Sequence, residues 1–301
     1  MLNAMSIDLE DWFCVNNFAG IIPRSQWPEC ELRVTESTRT ILKLLKARDT
    51  LGTFFVLGWV ADRVPSLIRE IADQGHEIGT HGYSHALVTT LSPEEFEKDL
   101  QRSIDTIARC TGEYPTGFRA PSFSITRATT WALPILRRNG ILYDSSVFPI
   151  GFHPDYGIGD APLVPHEFHE VLEIPMTCVE VMGARIPCCG GGYFRLFPYA
   201  MTRQLMERCN REGRSVVFYT HPWEFDPEQP RVRTSRLKTF RHYRNLHKTA
   251  DRFARMLDQF EFAPIKQTLL QHERHAEGVS LPQLPAWGRA ADLSAVRADV
   301  S

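Results

Sequence analysis

Three carboxylates fall within four positions, Asp8-Leu9-Glu10-Asp11, at the end of a short apolar run. On an extended strand Asp8 and Glu10 point to the same face, so both stay ionised only beside a cation or an arginine. A second group, His81-Gly82-Tyr83-Ser84-His85, follows another strand-like run. In a helical turn this spacing puts two imidazoles on one face, and neutral imidazole nitrogen is a good ligand for zinc and similar ions. Phe118-Arg119-Ala120-Pro121 places an arginine, a fixed cationic fork for a carboxylate, at a third strand end. His221, in Thr220-His221-Pro222-Trp223-Glu224, ends the last apolar run. Taken singly, each has an ordinary explanation: acids after strands cap helices, and spaced histidines arise by chance. Taken together they are the parts of a metal site flanked by acid–base groups, provided the fold brings four strand ends to one place.

The elements that could do so are legible as alternation. Strand-like runs at 4–8, 53–57, 77–80, 117–119, 142–145, 171–174 and 216–220 alternate with amphipathic stretches at 35–48, 65–74, from Ser92, 126–139 and 198–211. Pro65 suits a first helical turn; Ser92-Pro93-Glu94-Glu95 joins a capping serine, an N1 proline and early acids; Gly140 and Gly213 close two of the others. Such alternation predicts a parallel sheet with crossover helices, and seven strands without a clean linker predict one α/β domain, a (β/α)7 barrel. Active sites of βα barrels lie at the C-terminal ends of the strands, where all four motifs fall. The expected organisation is a barrel over 1–225, interrupted at 146–199 by an insert, an irregular loop or hairpin, that covers one mouth. A helical extension over 226–270 packs on the barrel, and a mobile tail runs over 271–301. Asp144, at the end of the fifth strand, is a candidate for orienting another site residue.

Composition excludes several classes. The chain is 43% hydrophobic and 23% charged with a formal charge of −2, which describes a globular protein without the basic surplus of a nucleic-acid binder. No apolar run approaches the roughly 20 residues of a membrane span. The N-terminus shows neither a basic region nor an apolar stretch, so the chain reads as cytoplasmic, with a peripheral position at the inner face of a membrane as the variant. Seven cysteines at irregular positions, without a Cys-x-x-Cys pair, fit a reducing compartment. The adjacent Cys188 and Cys189 read as buried small apolar residues.

The order acidic cluster, His-x-x-x-His, Arg-x-Pro, terminal histidine resembles the polysaccharide deacetylase (NodB-homology) family over roughly residues 5–225. The patterns Asp8-Leu9-Glu10-Asp11-Trp12, Gly190-Gly191-Gly192-Tyr193-Phe194-Arg195 and His221-Pro222-Trp223-Glu224 resemble its branch found with bacterial exopolysaccharide loci, a likeness that extends through Phe240-Arg241-His242-Tyr243. The resemblance implies a distorted seven-stranded barrel and a divalent ion, Zn2+ by preference, held by one acid and two histidines. Carried over, His81 and His85 match the ligands, Arg119 the arginine that holds the catalytic acid, and His221 the catalytic histidine. Most relatives have two adjacent aspartates where this chain has Asp-x-Glu-Asp. Asp8 is therefore mapped to the base and Glu10 to the ligand, with Asp11 as the alternative acid ligand. Trp12, Pro121, Ser122, Tyr193 and Trp223 are the substrate-binding candidates. The implied substrate is an N-acetylated glycan; the rivals are an allantoinase-like hydrolase of cyclic amides or ureides and a non-catalytic glycan-binding relative.

Overall fold

A computed structural model describes residues 1–151 and 156–275, the last five by their backbone alone. The tail expected from 271 onward therefore lies, past residue 275, outside the described residues. The seven expected strands are β1 (Asn3–Leu9), β2 (Thr53–Val56), β3 (Glu77–Thr80), β4 (Gly117–Phe118), β5 (Tyr143–Asp144), β7 (Val171–Glu173) and β10 (Val217–Thr220). All pair in parallel, in the order β10-β1-β2-β3-β4-β5-β7. Most of their residues are buried on both faces, and in β1 and β2 every residue is. Continuous apolar runs rather than strict alternation are what a sheet covered by helices requires.

The crossovers are α1 (Val34–Lys46), the successive α2 (Gly58–Arg63) and α3 (Pro65–Asp73), α4 (Pro93–Thr111) and α5 (Ala132–Arg138). Ser92 and Glu95 make the reciprocal capping box at the start of α4, and Gly112 ends it at φ 82°. Each helix turns an apolar stripe inward: Ile41, Leu42 and Leu45 from α1 and Leu67, Ile68 and Ile71 from α3 meet Ile7, Phe54 and Val56 of the sheet in one core.

The region 146–199 contains regular elements, a hairpin among them. It contains β6 (His166–Phe168), which pairs antiparallel with β7, and β7 itself. An antiparallel hairpin of β8 (Cys178–Val181) and β9 (Ala184–Pro187) follows, then α6 (Gly191–Leu196) and, just beyond, α7 (Tyr199–Arg211). β7 and β10 do not pair; instead Val217 N donates to Thr177 Oγ1 at 2.7 Å, and Gly190 bridges Tyr219 in parallel. Gly190 lies at φ 130°, and a Cβ there would stand 2.2 Å from the Tyr219 carbonyl oxygen. Gly190→Ala is accordingly expected to destabilise the fold by at least about 1–3 kcal/mol. Gly192→Ala, where a Cβ meets nothing within 4 Å, should be neutral or stabilising by about 0.4–1 kcal/mol. Urea denaturation of both variants checks the contrast, and equal midpoints would refute the seam.

Beyond the last barrel strand come α8 (Arg236–Tyr243), α9 (Thr249–Leu257), β11 (Phe262–Ala263) and α10 (Ile265–His275). β11 pairs in parallel with the start of β1, so this region adds a strand as well as helices to the barrel. No described helix is long and apolar enough to cross a membrane.

Candidate functional site

Glu10 stands one residue past β1, its amide donating back to the Asp8 carbonyl at 3.0 Å. That tight turn keeps its side chain beside that of Asp8. His81 follows β3 directly. The expected helical turn between His81 and His85 does not form. Gly82 at φ 71° and His85 at φ 53° make a loop, held because Tyr83 N and Ser84 N donate to Asp99 of α4 at 2.7 and 3.1 Å. The loop nonetheless brings the two rings to 5.3 Å between centroids. Donor atoms of Glu10, His81 and His85, all buried, lie within 4.8 Å of one another, the one such cluster among the described residues.

The donors are oriented as ligands. His81 Nδ1 faces the Arg119 carbonyl at 2.8 Å, which assigns the proton to Nδ1 and leaves the Nε2 lone pair free. Glu10 Oε1 accepts from Trp223 Nε1 at 3.0 Å. Glu10 Oε2 is 2.7 Å from His85 Nε2 yet has no partner in hydrogen-bonding geometry. A buried, orphaned carboxylate oxygen converging with two imidazoles fits a divalent cation. Burial alone would raise the Glu10 carboxyl, but the charge and contact of His85, with His221 and His81 behind, hold it down at about 2. Burial pushes His81 down to about 4, leaving it neutral and able to ligate.

Asp8 and Arg119 form the second layer. Arg119, fully inaccessible, donates from Nη1 to Asp8 Oδ1 and to Ser6 Oγ, both at 2.8 Å, and from Nε to the Ser145 carbonyl at 2.9 Å. Asp8 Oδ2 and Glu10 Oε1 are each 3.8 Å from His221 Nε2. Asp144 supports the arginine's turn from behind: it accepts from Ser146 Oγ, which itself accepts from Ala120 N at 2.7 Å. Burial raises Asp144 to about 6, and burial together with the Asp144 charge raises its neighbour Glu173 well above the ordinary carboxylate range.

Three sequence expectations are corrected. Asp11 is turned away from the histidines, its Oδ1 accepting from Trp12 N and its Oδ2 from Arg33 N and Val34 N at the start of α1; both oxygens serve the helix terminus. Trp12 is 6% exposed and donates to the Glu31 carbonyl, packed edge-on against Phe13. It is core and offers no face to a sugar. Trp223 is buried, stacked with His221 at 5.2 Å and His242 at 4.3 Å, and its indole N–H holds Glu10. Pro121 is buried, Ser122 sits at φ 52°, and Tyr193 is half-buried with its hydroxyl 3.5 Å from that of Tyr156.

Sequence reasoning gave no role to Glu224 or Arg195. His221 Nδ1 contacts Glu224 Oε1 at 2.7 Å, and Arg195 Nε donates to Glu224 Oε2 at 2.5 Å. Arg195 also donates to the carbonyls of Arg241, His242 and Arg244. Burial raises Glu224, but Arg195 and His221 bring it down to about 2. Burial lowers His221, yet the Glu224 contact and the Glu10 and Asp8 charges push it up to about 9. The available signal was Pro222 followed by Glu224 three residues after His221, the spacing of a capping box.

The fold and the cluster define a (β/α)7-type barrel with a carboxylate–histidine centre at the C-terminal ends of its strands. Residues 27–141 match the family model for polysaccharide deacetylase, and residues 145–270 match a domain of unknown function, DUF3473. The match to the polysaccharide deacetylase model thus covers a segment of the barrel, from the first crossover helix to the end of the fourth. It is similar to a peptidoglycan deacetylase of Helicobacter pylori, 33% identical over 40% of this chain and 41% of that protein. It is also similar to a peptidoglycan-N-acetylglucosamine deacetylase of Bacillus cereus, 34% identical over 29% of this chain and 31% of that protein. The chain thus spans less than half the length of these relatives. A candidate polysaccharide deacetylase of Mycobacterium smegmatis shares the fold, with a TM-score of 0.56 at 19% identity, over 94% of this chain and 96% of that one.

Proposed function

We propose that the protein is a divalent-metal-dependent hydrolase that removes N-acetyl groups from a polysaccharide or its lipid-linked precursor, in exopolysaccharide biosynthesis. The observation that carries the reading is the convergence of Glu10, His81 and His85 with Asp8 and His221 on one flank. Two imidazoles and a carboxylate are a donor set suited to Zn2+. The exopolysaccharide setting is supported by the patterns around Glu10, Arg195 and Glu224.

Held by Glu10, His81 and His85, the ion would polarise the acetamide carbonyl and lower the pKa of water. Asp8, held and aimed by Arg119, is the group that takes the proton of the attacking water. On the family resemblance, the backbone amide following Pro121 would donate to the carbonyl oxygen as charge develops. His221, protonated at neutral pH, delivers its Nε2 proton to the departing amine, and Glu224 holds the ring in that orientation. The completeness of this set argues against a non-catalytic relative. The names of the curated relatives favour peptidoglycan as a second glycan to assay.

The test is acetate release from N-acetylglucosamine oligomers, a lipid-linked glycan, peptidoglycan and a cyclic ureide. Wild type would be compared metal-stripped and zinc-restored, beside His81→Ala. Acetate is expected only from glycans and only with metal, and His81→Ala should lose about 10- to 100-fold or more in metal affinity measured by direct titration. Turnover undiminished after stripping would overturn metal dependence; hydrolysis of the ureide alone would move the reading to the cyclic-amide class.

A further inference from the structure

The chain carries 34 basic and 36 acidic residues, yet residues 229–250 contain no Asp or Glu and seven Lys or Arg. The segment includes α8, whose polarity is inverted. Its inward side carries His242, buried and stacked on Trp223 at 4.3 Å. Its outward side presents Leu237, 60% exposed, and Phe240, 50% exposed. Leu237, Phe240, Arg241 and Arg244 follow the i, i+3, i+4, i+7 spacing of one helix face, with Arg236 and Lys238 on either side. Among the described residues none of these four cations has an ion-pair partner; Arg244 instead lies 5.3 Å over the Phe240 ring. A helix that turns Leu and Phe to solvent between cations has no reason to do so in water alone.

We propose that α8 is a docking surface for a bilayer bearing anionic lipid headgroups, with Leu237 and Phe240 entering the interface and the flanking Arg and Lys meeting phosphate. A bilayer accounts for both the cations and the apolar pair, whereas a soluble polyanion accounts for the cations alone. The surface is mechanically joined to the candidate site: Arg195 holds the carbonyls of Arg241, His242 and Arg244 while its Nε holds Glu224. Docking would set the barrel's mouth at the membrane, where, on the deacetylase reading, it meets a lipid-linked or membrane-proximal glycan.

The test is flotation of the full chain with vesicles of equal parts phosphatidylglycerol and phosphatidylcholine, with phosphatidylcholine vesicles and soluble dextran sulfate as comparisons. Binding is expected to the anionic vesicles and to weaken as salt rises from about 0.1 M to about 0.5 M. Arg236→Glu with Lys238→Glu, and separately Leu237→Ser with Phe240→Ser, should each lower vesicle binding by about tenfold or more. Neither pair should change acetate release from soluble oligomers, since none of the four residues touches the candidate site. Absence of vesicle binding, or vesicle and dextran sulfate binding that the charge reversals abolish and the serine pair leaves intact, would overturn the proposal. Vesicle binding without acetate release from any glycan would instead overturn the deacetylase reading and leave the docking surface standing.

Discussion

Asp8→Asn is expected to lower kcat for acetate release by about 10²–10⁴ in a protein that still folds and still binds metal. The substitution keeps the shape of the side chain and an oxygen for Arg119 Nη1, 2.8 Å away, but removes the group able to accept a proton. It also leaves the Arg119 guanidinium, wholly inaccessible, without its anion. Losing one partner of a buried pair costs about 3–5 kcal/mol. That figure is a ceiling, because Ser6 Oγ and both oxygens of Ser145 continue to accept from Arg119. The ligands Glu10, His81 and His85 are untouched, so metal content should equal that of wild type. Acetate release, metal content and thermal unfolding measured on one preparation separate the effects: a folded, metal-loaded Asp8→Asn with near-wild-type kcat would remove Asp8 from the mechanism.

How much of this could be read beforehand depended on whether the relevant physics was local. The seven parallel strands were legible because each is a short apolar run bounded by turn residues, and burial on both faces leaves that mark in composition. Glu10, His81, His85, Arg119 and His221 were legible as a set because each follows such a run, and a barrel collects strand ends. β11, Phe262–Ala263, was not legible, because it is defined by its pairing with β1 and lies outside the strand–helix alternation of the barrel. The fates of Trp12 and Trp223 depend on what packs against their rings, Phe13 in one case and His221 with His242 in the other. No local pattern encodes those contacts. Asp11 illustrates the same limit: its neighbours in sequence suggest a ligand, but the amides of Arg33 and Val34, more than twenty residues away, claim its Oδ2.

The second large effect belongs to the chain Arg195–Glu224–His221. Arg195 and Glu224 are 2% and 0% exposed, so Arg195→Met strands a buried carboxylate and should cost about 3–5 kcal/mol of stability. It should also loosen α8, whose last carbonyls Arg195 holds. Glu224→Gln is the gentler probe, because it keeps an oxygen toward His221 Nδ1 while removing the charge. His221 stands near 9 through the Glu224 contact and the Glu10 and Asp8 charges acting against its burial, and a bound dication beside Glu10 would draw it lower. As a proton donor His221 works only while protonated, so activity falls as pH rises through its pKa. Removing the Glu224 anion disfavours the imidazolium and shifts that alkaline limb toward lower pH. The acidic limb should stay in place, so the kcat profile narrows from the alkaline side alone. A purely structural Glu224 would lower kcat evenly at every pH. A profile in Glu224→Gln of unchanged shape and reduced height would therefore dismiss the proton-donor role of His221 as oriented by Glu224, whereas a narrowed profile ties the buried Arg195–Glu224 pair to the last proton transfer.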